Sequence, residues 1–70
     1  MIGMITLKYL RSLDKERLEK EYKYNRDWQL KWFGIYEDFY RKGVKDRETA
    51  RYLEYYTNAV NKIKKVMNEK

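Results

Sequence analysis

The chain has no cysteine, no histidine and no proline, and only three glycines in 70 residues. Without cysteine there is no disulfide framework and no zinc–thiolate site. Without histidine the commonest general base and the commonest metal ligand are missing. A chain of this length lies near the lower limit for folding without such staples, so packing must hold it, with self-association as the available supplement. The missing proline, and glycine confined to Gly3, Gly34 and Gly43, favour long uninterrupted helices over strands and turns.

Apolar runs are short as well. The opening segment MIGMITLKYL is apolar but falls well below the about 20 residues a membrane span needs. No basic stretch precedes it and no small-residue cleavage site follows, so it does not read as a signal peptide. The expectation is a cytoplasmic protein. Membrane-surface association through this segment with Lys8 and Arg11 ranks behind the readings below.

Catalytic patterns are absent too. There is no glycine-rich phosphate loop and no serine with a histidine or aspartate partner. The carboxylates fall almost entirely in helix first turns or in pairs with bases four residues on, and none sits at an inward helix position where a di-metal site would need it. The sequence therefore predicts no enzyme and no metal or organic cofactor.

What the sequence does hold is helical periodicity. Leu18, Tyr22, Asn25, Gln29, Trp32, Tyr36 and Phe39 alternate steps of four and three, a heptad seam within a helix expected over 14–42. Asp14 fits its N-cap, Leu13 and Leu18 a hydrophobic staple across it, and Gly43 its C-terminal stop. Glu16–Lys20, Glu19–Lys23, Asp27–Lys31, Glu37–Arg41 and Asp38–Lys42 are acid-before-base pairs, each adding about 0.2–0.5 kcal/mol when formed. A second long helix, expected over 46–68 behind Asp46, repeats the alternation at Thr49, Leu53, Tyr56, Val60, Ile63 and Met67. So short a connection makes the two helices antiparallel neighbours. Ile2, Ile5, Tyr9 and Leu13 add a short helix over about 2–11. The expected fold is all-α: one domain, residues 1–70, built as an antiparallel, coiled-coil-like hairpin with the short helix packed at its open end.

Three features bear on function. The net charge is +6 and the isoelectric point about 9.6. In an antiparallel hairpin this excess lies wholly at the open end, residues 1–31 and 60–70, while 32–59 sum to zero. Lys8, Arg11, Lys20, Lys23, Lys62, Lys64 and Lys65 are the candidate phosphate contacts of a nucleic-acid reading, although no recognition-helix or base-stacking motif accompanies them. Asn25 and Gln29 place amides on the seam, expected to fix register or oligomeric state at a cost in stability, with little to gain from Val60 and Ile63 opposite. Finally, Tyr24, Trp28, Ile35, Tyr52, Tyr55, Ala59 and Val66 fall on the edge beside the seam, where an N-terminal helix covers only the Tyr24, Trp28 and Val66 end and stops short of Tyr52 and Tyr55.

That edge predicts a protein-interaction module docking an aromatic helical face on a protein partner, on a second copy as a homodimer, or on both. The abundance of lysine, tyrosine, isoleucine and asparagine fits an AT-rich coding sequence, and small basic helical chains of that kind suggest an accessory regulator or inhibitor, such as a phage or mobile element encodes. Nucleic-acid binding at the basic open end is the alternative.

Overall fold

A computed structural model of the chain describes residues 5–69. They form three helices and, among the described residues, no strand: α1 (Leu7–Arg11), α2 (Lys15–Arg41) and α3 (Arg47–Glu69). The two long helices pack against each other as a hairpin about 42 Å long, and α1 folds back onto α3. The fold is the all-α hairpin that the periodicity predicts.

Local chemistry fixes each boundary. The Asp14 carboxylate accepts a hydrogen bond from the Arg17 N–H at 2.8 Å, the N-cap bond that starts α2. The last turn of α2 closes through two reversed bonds, from the Gly43 N–H to the Tyr40 carbonyl at 3.1 Å and from the Val44 N–H to the Phe39 carbonyl at 2.9 Å. This is a Schellman motif, and it requires the left-handed Gly43, whose φ is +74°. The Asp46 carboxylate then receives the Glu48 N–H at 3.1 Å and the Thr49 hydroxyl at 2.8 Å, capping α3.

The short helix is shorter than expected. Thr6 is extended (φ −98°, ψ 151°), and its hydroxyl accepts the Tyr9 N–H, so α1 begins at Leu7 rather than near residue 2. The local cap outweighs the apolar spacing that suggested an earlier start. The part of that expected helix over residues 2–4 lies outside the described residues. Ile5 instead lies outside any helix beside α3, where its carbonyl accepts a hydrogen bond from Lys62 Nζ at 3.1 Å.

The core is lopsided. Leu10, Leu18, Ile63 and Val66 are completely buried together, with Ile5, Leu7, Leu13, Tyr22 and Met67 packed around them. Ala59 and Val60 extend the buried zone along α3. Every fully buried hydrophobic residue among those described therefore lies in the open half, where α1 supplies a third layer. In the loop half two helices face each other, and the buried residues described there are Thr49 in the first turn of α3 and Ala59 at the border with the open half.

Candidate functional site

The antiparallel register is set by aromatic pairs. Trp28 stacks on Tyr56 with centroids 6.1 Å apart and planes at 16°, and Trp32 stacks on Tyr52 at 4.7 Å and 17°. Each step of four up α2 is answered by a step of four down α3. Edge-on contacts of Tyr24 with Trp28 and of Tyr55 with Tyr56 extend the cluster, and Lys31 Nζ lies 4.8 Å from the centre of the Trp28 ring. Burial, then the neighbouring Tyr24, Tyr55 and Tyr52, push the Tyr56 hydroxyl pKa above its ordinary 10.0.

This arrangement revises the expected aromatic face. Val66 lies in the core against Leu10 and Leu18, and Ala59 is buried and lines a small hollow with Ile5, so neither is open to a partner. Trp28, Tyr52 and Tyr55 are half-buried in the intramolecular stacks, and Ile35 is half-buried as well. Tyr24, expected under the N-terminal helix, is 58% exposed. Ile5 lines the same hollow as Tyr55, so the N-terminal segment comes down beside Tyr55 rather than stopping short of it. The helix starts only at Leu7, and the extended Thr6 before it advances about 3.3 Å where a helical residue advances 1.5 Å.

The apolar surface left open lies on the opposite edge of α2. Leu30, Phe33, Tyr36, Tyr40 and Val44 are all exposed, Tyr40 by 76%; the first four recur every three or four residues on one side of α2, and Val44, past the helix end at Arg41, joins Tyr40 in the hollow at the bend. Tyr36 was expected in the seam but is 40% exposed, while Ile35 turns in beside the seam. Tyr36 lies 18 residues, five whole turns, from buried Leu18, so a straight helix alone would keep the two in line; in the loop half the inward face instead passes to Trp32, Ile35 and Phe39, which are half-buried. The stripe ends in a mostly apolar hollow of about 270 Å³ lined by Tyr36, Phe39, Tyr40, Val44, Thr49 and Ala50 together with the charged Lys45, Asp46 and Arg47. The Schellman turn makes this hollow by folding Val44 back over Phe39. The sequence signal was available in the clustering of Phe33, Tyr40 and Val44, but the expected seam had absorbed Tyr36.

The basic open end is only partly free. Arg11 makes a two-pronged ion pair with Glu69, Nε to Oε1 at 3.1 Å and Nη2 to Oε2 at 3.0 Å. That hydrogen bond holds the Glu69 carboxyl below its ordinary 4.5 and raises the Arg11 pKa. Lys20 pairs with Glu16 at 3.8 Å, and Lys62 is half-buried on the Ile5 carbonyl. Lys8, Lys23, Lys64 and Lys65 point to solvent. Of the five expected helix pairs, Glu16–Lys20 and Asp38–Lys42 close, and Lys31 turns to Trp28 instead of Asp27.

Among the described residues no group of three carboxylates is placed to hold a metal ion, and no helix is long and apolar enough to cross a membrane. The fold and its surfaces define a small helical hairpin with an exposed apolar stripe at its bend. Comparison with protein-family models, with curated proteins and with solved structures finds no match.

Proposed function

We propose that the chain is a non-enzymatic protein-interaction module, a small cytoplasmic accessory regulator or inhibitor of the kind a phage or mobile element encodes, which docks through the stripe Leu30–Phe33–Tyr36–Tyr40–Val44. The observation that carries the reading is the coincidence of this stripe with the half of the hairpin that lacks a third layer. Large aromatic side chains at the edge of a hollow make good anchors, and a contiguous apolar patch on a small protein commonly marks a contact surface. The non-enzymatic part rests on the absent histidine and cysteine and on carboxylates spread along helix surfaces.

The nucleic-acid reading keeps Lys8, Lys23, Lys64 and Lys65 but loses weight with Arg11, Lys20 and Lys62 engaged inside the chain. Capture from source-cell extract, comparing the parent with Phe33→Glu/Tyr40→Glu and with Lys64→Gln/Lys65→Gln, separates the two. Docking through the stripe requires that the first variant lose what the parent retains and the second keep it. The reverse pattern, with strong salt dependence, would favour nucleic acid.

A further inference from the structure

We propose that a second copy of this chain covers the stripe. The copies would meet antiparallel along α2, about a two-fold axis near Tyr36 and Glu37, with their basic open halves pointing apart. This rests on the docking reading above and names the occupant.

The first argument is symmetry in the sequence of the stripe. Read outward along α2 from Tyr36 and Glu37, an aromatic side chain of the stripe lies on each side, Phe33 toward the open half and Tyr40 toward the bend. A two-fold interface requires a patch complementary to itself, so that residue i meets j and j meets i. An antiparallel crossing at this midpoint sets Phe33 on Tyr40 of the partner subunit and carries Leu30 toward the bend of the partner subunit.

Charge gives the second argument. Residues 32–59 carry equal numbers of acids and bases, while the remaining residues hold the entire +6. A contact through the loop halves brings two neutral surfaces together and keeps the two +6 ends far apart. A contact through the open halves would oppose them directly. The charge distribution favours the loop half over the open half for contact with a second copy, and within that half the stripe is the exposed apolar face.

The third argument is size. The five side chains are each 40–76% exposed. With aromatic side chains burying about 150–250 Å² each, covering them removes about 500 Å² per copy, or about 1,000 Å² for the pair. That lies at the lower bound for specific interfaces, so the dimer should be weak, with a dissociation constant in the micromolar range. Its two α2 helices would give the loop half the added layer that α1 gives the open half.

Sedimentation equilibrium across about 1–200 µM tests the proposal. The parent should rise from the 8.8 kDa chain mass toward twice that value. Phe33→Glu/Tyr40→Glu should lose at least about tenfold in self-affinity while keeping its helical circular dichroism. Because the chain has no cysteine, introduced thiols report position independently of that variant's folding. Glu37→Cys, beside the axis, should oxidise to a covalent dimer, and Lys64→Cys at the open end should not. A parent that stays at chain mass, with Glu37→Cys uncrosslinked, overturns the second copy as occupant and leaves the docking reading to its own test. A parent that dimerises equally well with the glutamates in place, or crosslinks through Lys64→Cys and not Glu37→Cys, overturns the second copy as occupant of the stripe.

Discussion

Gln29 donates from its Nε2 to the Thr57 hydroxyl at 3.1 Å, joining a polar seam position of α2 to α3. The sequence placed this amide opposite Val60 and Ile63, with little to gain. The register set by Trp28 on Tyr56 instead puts it across from Thr57, and Arg26 Nη1 donates to its oxygen at 3.2 Å. Asn25, nearly fully buried, is satisfied within its own helix, donating to the Glu21 carbonyl at 2.7 Å. Gln29→Leu should therefore destabilise by about 1 kcal/mol in denaturant unfolding. In a double-mutant cycle with Thr57→Val, the second substitution should add little to the first. Purely additive losses would mean that the amide and hydroxyl do not act together.

The Arg11–Glu69 pair gives a pH signature. Its hydrogen bond lowers the Glu69 carboxyl pKa in the folded chain, so the pair stabilises the fold above the ordinary value of 4.5. That contribution is lost as pH falls through the lower folded-state value. Glu69→Gln should melt slightly below the parent at neutral pH, and the two curves should converge as the solution is acidified below 4.5. Both side chains are substantially exposed, so the difference should also shrink with added salt.

The two described glycines should respond in opposite directions. A Cβ built at Gly34 meets nothing within 4 Å, and the residue lies in mid-helix, so Gly34→Ala should stabilise by about 1 kcal/mol. That corresponds to a rise of about 4–8 °C in melting temperature for a domain this small. Gly43 has equal space but a φ of +74°, so Gly43→Ala should lower the melting temperature by forcing an alanine into the left-handed region.

Core and stripe should separate cleanly in dilute solution. Ile63→Ala removes a completely buried side chain and should cost about 2–5 kcal/mol. Tyr40→Ser acts on a side chain mostly in water and should stay within about 0.5 kcal/mol, provided the measurement is made below the concentration at which chains associate.

Much of the fold was legible because its determinants are local. The caps at Asp14 and Asp46, the stop at Gly43 and the steps of α3 from Thr49 to Met67 each work through residues within a turn or two. The misreadings are cases where neighbours in space decide. Thr6 as a cap competes with apolar spacing, and it won. Ala59 and Val66 lie at a seam edge on any helical wheel, but α1 and Ile5 come down on that edge and bury them. Tyr36 and Ile35 differ by one position, and the packing of α2 on α3, with Trp32 stacked on Tyr52, decides which faces inward. The docking surface was the least legible part, since its hollow exists only once the Gly43 turn has folded Val44 back on Phe39.

The lopsided core also has a kinetic consequence. Helix hydrogen bonds in the loop half are backed by half-buried rings, whereas those around Leu18 and from Ala59 to Val66 are backed by fully buried side chains. The bend should therefore open in local excursions that leave the other end intact. Amide hydrogen exchange should run as a gradient, fastest near Tyr40 and Thr49 and slowest near Leu18 and Ile63. Protection at this hairpin's base would then outlast protection at its bend, and any molecule that closes over the stripe would be read first as slowed exchange there.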